Sequence, residues 1–363
     1  MLRKPLFPSL LILSLLFYFC NKDPVSPKLE PGKRNYVWSL DTLDMPVNYI
    51  GAIWGATPND VWAVGAGGTQ NDRLLHFDGE EWTTYTKEII WCSGNTLFGF
   101  SADDVWMGGG GGWLSHGAGI WHFDGNTWSE RYVYDIDSAY QMEVQDIWGT
   151  SHKDIYASGI VSFYDGQKDD MRGFLLHFDG KNWKTIIDVG PYNSQFIKVR
   201  KEKKKLFILS WQNGLISNGP DRWTLNLVEE DSVKEFYSSQ NFVNLNMIGN
   251  RAYFVIDNEI YRYSGTDLAK ELSFADSQLN LRVYGVYGKN EADIFIKTRD
   301  GLAHYNGEET QHLYEFPAPR MSLLNTPGIF STDIFFAVRN ASDVNAWNLV
   351  LHGTIMNNGG ELP

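Results

Sequence analysis

Five histidines and five aspartates recur at matching places along this 363-residue chain, and they are the first residues whose types suit proton chemistry. His76, His122, His177, His304 and His352 occupy one position of a repeating pattern; Asp60, Asp104, Asp154, Asp293 and Asp333 occupy another. Repetition argues against catalysis, because a working site needs one convergent set and these copies are spread along the chain. The aspartates precede short apolar runs such as Asp60-Val61-Trp62 and read as turn caps that accept backbone N–H groups. The histidines read as structural.

Other chemistry-bearing strings are weaker. Asp165, Asp169 and Asp170 crowd one segment but lack the alternating ligand spacing and glycine of a calcium loop, so solvated charge is the expectation. Asp137, Glu143 and Asp165 are the carboxylates a glycosidase would pair across a sugar bond. Five glycines at 108–112 run into Trp113 with no Lys-Ser or Lys-Thr, which makes them a flexible loop and not a phosphate cradle. The basic run 200–205 reads as a solvated hairpin tip. No Ser-His-Asp set and no copper arrangement around Cys92 stands out, and no metal or cofactor is expected.

The elements that must position these residues are short strands. The pattern reads "IWGATPNDVWAVG…LLHFDGEEW" (53–82), "LFGFSADDVWMGG…IWHFDGNTW" (97–128) and "IWGTSHKDIYASG…LLHFDGKNW" (147–183). A period of this length with two-residue alternation predicts an all-β chain folded as one β-propeller. Turn glycines at Gly79, Gly125, Gly180, Gly219, Gly265 and Gly307, each after Asp, Asn or Ser, predict six outer hairpins of type I′. A degenerate seventh unit lies at 333–352, where Leu351-His352 aligns with Leu75-His76. Seven four-stranded blades are therefore expected. The segment 35–42 resembles the outermost strand of a blade, and the last unit lacks one, so Trp38 and its neighbours are predicted to close the ring. Trp54, Trp62, Trp82, Trp106, Trp128, Trp148 and Trp183 recur at fixed motif positions and are assigned to packing between blades.

On these motifs the chain resembles kelch-like and WD-like propeller repeats, and the "WGxxxxDVWAVG…HxDGxxW" repeats of exported bacterial lipoproteins. The likeness covers residues 34–363, strongly in the first three units and weakly between about 195 and 275. Trp128 lies only four residues after Asp124, a departure from kelch spacing, and no enzyme family's active site carries over.

At the N-terminus Arg3 and Lys4 precede an apolar run, Leu10 to Phe19, that stops at Cys20. The run is short for a membrane span and has the layout of a secretion signal. "FYFCNKD" (17–23) resembles a bacterial lipoprotein signal, which implies residues 1–19 as signal peptide and Cys20 as the lipidated residue. Residues 20–33 are the expected tether, rich in proline and charge. The resemblance places the protein at the bacterial outer membrane, held by lipid, with cell-surface exposure as one option. Loss of residues 1–19 leaves 29 basic against 44 acidic side chains, a formal charge of −15. That field repels phosphate backbones, so nucleic acid is not an expected partner. A monomer is expected.

Strand parity puts the second-to-third-strand loops and the inter-blade loops on one face, and those are the segments free of the repeat. The face carries aromatics outside the consensus: Trp91, Trp113, Tyr140, Phe163, Tyr164, Trp211 and Trp347. Flat rings there suit a sugar or an extended peptide. The expected function is non-catalytic binding of a carbohydrate or protein partner; the alternatives are a polysaccharide-acting hydrolase or lyase on the same face, and a structural subunit of an envelope complex.

Overall fold

The computed structural model describes residues 29–43, 49–66, 73–88, 90–110, 117–274, 281–317, 321–324, 326–340 and 348–356. Trp113, Trp347 and Cys20 lie outside them. The alternation read above becomes antiparallel strands that follow one another in groups of four. Blade 1 is Tyr49–Thr57, Asp60–Ala66, Leu74–Phe77 and Trp82–Thr84; blade 2 is Ser93–Ser101, Asp104–Gly110, Ala118–Phe123 and Trp128–Tyr134. Blade 3 is Gln141–Ser151, Asp154–Tyr164, Asp169–Phe178 and Trp183–Ile187; blade 4 is Gln195–Glu202, Lys205–Gln212, Arg222–Glu229 and Ser232–Ser239. Blade 5 is Val243–Ile248, Arg251–Ile256, Glu259–Tyr263 and Leu268–Ser273; blade 6 is Val283–Asn290, Asp293–Thr298, Gly301–Tyr305 and Thr310–Glu315. Blade 7 has a broken inner strand, Met321–Leu323 and Gly328–Ile329, then Asp333–Asn340 and Leu349–Ile355.

Its fourth strand comes from the other end of the chain. Tyr36–Thr42 pairs along Leu349–Ile355, from Tyr36 opposite Ile355 to Thr42 opposite Leu349. Trp38 lies over Gly353 and 5.6 Å from Tyr314 of blade 6. The closure the sequence called for is made, and the edge of the last sheet is covered.

Each blade buries both faces against its neighbours. Seven apolar clusters are found among the described residues, and each joins one consecutive pair of blades. The seventh junction joins Phe335 and Ala337 of blade 7 to Ile53 and Phe77 of blade 1, which makes the circuit continuous. Trp128 of blade 2 meets Trp62 of blade 1 edge-on at 5.4 Å, and Trp183 of blade 3 meets Trp106 of blade 2 at 5.6 Å. Trp62, Trp106, Trp128 and Trp183 are buried, whereas Trp54, Trp82 and Trp148 are half-buried. Cys92 is buried and unpaired, and burial pushes its thiol up to about 12.

Four sequence expectations are corrected. Gly79, Gly125, Gly180, Gly265 and Gly307 have positive φ as a hairpin needs, but the residues before them do not, so the turns are not type I′. Instead Asp78 accepts from the backbone N–H of Glu80 and Glu81 at 2.9 and 3.0 Å, and Asp124 and Asp179 do the same in their loops. Asn218-Gly219 is no outer hairpin: Asn218 ends a one-turn helix, Gly214–Ser217, between the second and third strands of blade 4. Residues 160–173, expected from sequence as one of the long irregular loops between second and third strands, are mostly strand, because the second and third strands of blade 3 stay paired out to Tyr164 opposite Asp169. Gly108–Gly110 are strand, where a Cβ on Gly109 would stand 1.9 Å from the Ser93 carbonyl oxygen; only glycine allows that approach.

The basic run is also not a solvated tip throughout. Arg200 is buried and pairs with Asp146 of blade 3, and Lys201 donates to Asp154 at 2.7 Å. Only Lys203 to Lys205 form the exposed turn.

Candidate ligand-binding face

One face of the ring carries the turns between first and second and between third and fourth strands. There the repeated aspartates and histidines prove to be partners. His76 Nε2 lies 2.6 Å from Asp60 Oδ1, His122 2.8 Å from Asp104, His177 3.0 Å from Asp154, His304 2.8 Å from Asp293 and His352 2.8 Å from Asp333. Each imidazole also lies on the aromatic ring directly across the strand pair, Trp62, Trp106, Tyr156, Phe295 or Phe335, with centroids 4.0–4.8 Å apart. The aspartates are therefore not caps for backbone N–H groups. They fix five structural histidines, and capping falls to Asp78, Asp124 and Asp179 of the outer hairpins.

Three of these pairs are latched to the next blade, one of them through Arg34, just ahead of the closing strand of blade 7, which donates to His304 Nδ1 at 3.2 Å. His152 of blade 3 hydrogen-bonds Asp104 of blade 2, and Lys201 of blade 4 donates to Asp154 and to the Tyr156 hydroxyl. Burial alone would raise the Asp154 carboxyl, but the bonds from Lys201, Thr150 and Tyr156 outweigh it and hold the group down at about 2.

The opposite face carries the loops between second and third strands and the links between blades. Seven large apolar residues are exposed among the described residues, and five of them, Tyr164, Val189, Tyr192, Leu215 and Phe242, lie on this face in or beside blades 3 to 5. Among the described rings singled out from sequence, only Tyr164 is exposed, at 60%. Trp91 is half-buried and donates through Nε1 to Glu130 at 2.5 Å; Tyr140 is half-buried with its hydroxyl on Asp169 at 3.0 Å; Phe163 packs into the core between blades 2 and 3. Tyr140, Phe163 and Tyr164 thus gather on blade 3, while Trp91 stands apart over blades 1 and 2.

The convergent set begins at Trp211. Its ring stacks on Trp223 across the strand pair at 6.0 Å and 27°; Trp223 meets Phe242 at 4.9 Å, and Phe242 meets Tyr284 at 5.7 Å. The row runs from blade 4 to blade 6 and ends under the Arg282 guanidinium, 5.9 Å above the Tyr284 ring. Beyond it opens a cavity of about 920 Å³ walled by Phe242, Tyr284, Lys297, Thr298, Arg299 and Phe316 among others. Trp223, Phe242, Tyr284 and Lys297 were missed from sequence. A signal existed: an aromatic residue stands one or two positions before the inner strand at Trp91, Tyr140 and Phe242, visible once strand starts are counted.

The carboxylates named as an acid–base set are occupied otherwise. Asp165 accepts from the backbone N–H of Gln167 and Lys168 in its own turn, which holds it below the usual range. Glu143 receives the side-chain amides of Gln141, Gln145 and Asn95, and Asp137 is exposed. Asp169 takes the Tyr140 hydroxyl and Asp170 takes Arg172 and the backbone of Asn193, so Asp165, Asp169 and Asp170 do not converge on a cation.

The inner strands of neighbouring blades are also tied by polar bonds. Thr96 of blade 2 accepts from the Ile147 N–H, Asp146 of blade 3 from the Val199 N–H, and Lys198 Nζ of blade 4 donates to Asn244 of blade 5 at 2.8 Å. Burial first, then the Arg200 charge, pushes the Lys198 ammonium down to about 7.

No family model matches the sequence, and no curated protein matches it. Solved structures do resemble it in fold. YCF48 bound to a D1 peptide superposes with a TM-score of 0.57 at 11% identity over 92% of this chain and 100% of that one. A streptogramin B lyase gives 0.57 at 12% identity over 88% and 97%, and a puromycin hydrolase gives 0.52 at 10% identity over 80% and 50%. The fold is that of a β-propeller, one that hosts a peptide-bound protein as well as a lyase and a hydrolase.

Proposed function

We propose that the chain is a non-catalytic binding propeller that takes a carbohydrate or protein partner along the loop face over blades 4 to 6. The observation that carries this reading is the ring row Trp211–Trp223–Phe242–Tyr284, which offers flat apolar surface beside a cavity on the face where most exposed apolar residues collect. Rings so placed gain from stacking on sugar or peptide planes, and their rigidity limits the entropy lost on binding. The rest of the molecule supports the row as a scaffold: its chemistry-capable residues are repeated, paired and spent on packing.

We further propose that lipid on Cys20 anchors the protein at the outer membrane of a bacterial envelope, with residues 20–33 as tether. Labelled palmitate should be incorporated and lost in Cys20→Ser; label retained in that variant removes the anchor.

The binding reading is tested by probing glycan and peptide arrays with the parent chain and with Phe242→Ala, whose ring is partly exposed and whose loss leaves the blade cores intact. A hit weakened at least tenfold by the substitution supports the row as the surface. Hits unaffected by it place binding elsewhere.

A further inference from the structure

The cavity at the end of the aromatic row has an unusual wall for a chain of net charge −13. Lys297 lines it, half-buried, and makes no ion pair among the described residues. It stands opposite Gly285 on the neighbouring strand, and cross-strand partners share a face of the sheet. The missing side chain at Gly285 lets the Asn244 amide and the Tyr287 hydroxyl come close there, 3.1 and 3.2 Å from where a Cβ would sit. Thr298, next in the same wall, is 3% exposed, and its hydroxyl has no partner among the described residues. Arg299 completes the basic edge; its one carboxylate neighbour, Asp300, is 4.0 Å away, and both are well exposed. Burial has already pushed the Lys297 ammonium down to about 8, the mark of a charge set in the wall without compensation.

A buried or half-buried ammonium is ordinarily paired, because leaving water without a counter-charge is costly. Lys297 itself has no carboxylate partner among the described residues, the acid in the wall, Asp300, lying beside Arg299, whereas Arg200, Lys201 and Arg262 are paired with carboxylates elsewhere. The counter-charge is therefore expected on the ligand. Because the whole chain is acidic, its long-range field opposes a densely charged polyanion, and carboxylates spaced among uncharged groups, as in a short sugar acid, fit better. Aromatic walls on Phe242, Tyr284 and Phe316 are suited to the C–H faces of a sugar ring lying next to that carboxylate.

We propose that this cavity binds the carboxylate of a sugar acid, with Lys297 as its counter-charge and Arg299 as a further donor. The proposal rests on the reading of the loop face as a binding surface and adds the chemical class of the ligand. Galacturonate trimer and its methyl ester, in which a methyl group on each carboxyl removes its charge, separate the two ideas without any change to the protein. Titrated into the full chain, the acid should bind at least tenfold more tightly than the ester, as expected for one hydrogen bond to a charged group. Lys297→Met should remove that preference, while Phe242→Ala should weaken both ligands together. Equal affinity for acid and ester overturns the carboxylate site and leaves the aromatic row standing. Silence of both sugars overturns the sugar acid, and if a peptide with a free C-terminal carboxylate then binds, the row survives with a different partner.

Discussion

Blades 1 to 3 and blades 4 and 5 build the same four-stranded sheet by different means. In the first group an aspartate, a histidine and an aromatic ring lock the second and third strands, and the outer tryptophan of one blade packs on the ring of the blade before it. No histidine occurs between His177 and His304, so blades 4 and 5 have no such lock. Phe207, Phe236, Phe254 and Tyr263 take over, with centroids 4.9–6.1 Å apart, and Arg262 of blade 5 reaches back to Glu202 of blade 4 at 3.1 Å. The aromatic row begins in this second group, and its cavity opens from there toward blades 6 and 7. The repeat is released where the aromatic row begins and returns in blades 6 and 7, which wall the cavity and keep the Asp–His pair.

The ring is most vulnerable at its seam, on which both groups of blades depend. Deleting residues 34–42 removes the whole Tyr36–Thr42 strand and should lower Tm more than any single substitution; a parent-like Tm would deny that the closing strand matters. Next come one core ring from each group. Trp128→Ala and Phe254→Ala should each cost about 3–5 kcal/mol in denaturant unfolding, since both rings are almost fully buried. Equal costs would show that the two solutions hold the sheet equally well, and a much smaller cost at Phe254 would mark blades 4 and 5 as the soft side.

The lock itself is worth less. His122→Ala should cost about 1.5–3 kcal/mol, because Asp104 loses a bond made to its charge. A cost near zero would reduce the repeated pair to ornament. The smallest effect is the latch between the groups. Lys201→Met should cost about 1 kcal/mol or less at pH 7, the pair being partly exposed. The sign with pH follows from Asp154, whose folded value of about 2 lies below its ordinary 3.8. The latch therefore contributes fully above pH 4 and is lost as pH falls through 2, so parent and variant should converge over that interval. A difference that persists at pH 2 would mean that packing of the lysine stem, and not the ion pair, holds the blades.

Much of the ring was readable because its spacing is dictated by packing: Trp38 as the closing tryptophan, the recurring His and Asp positions, and the face on which free segments collect. The partners of those residues were not readable, since Asp60 and His76 are 16 residues apart and meet only through strand register. The Asn218-Gly219 dipeptide has the composition of an outer hairpin, yet a one-turn helix claims it, because Asn218 serves that helix end with left-handed backbone. Arg200 looked like part of a solvated charge run, and only the neighbouring blade supplies the Asp146 that draws it inward. The row was half legible: Trp211 stood outside the consensus, but Phe242 and Tyr284 belong to other blades, and nothing local joins them to it.

Hydroxyl-radical footprinting of the full chain with and without galacturonate trimer at saturating concentration is the sharpest test of the loop face as the binding surface. Trp223, Phe242, Tyr284 and Phe316 should lose reactivity together, while Phe77 and Phe178, beside the opposite face's Asp-Gly turns, keep theirs. Protection on that opposite face, with the row as reactive as before, would contradict the loop face as the site.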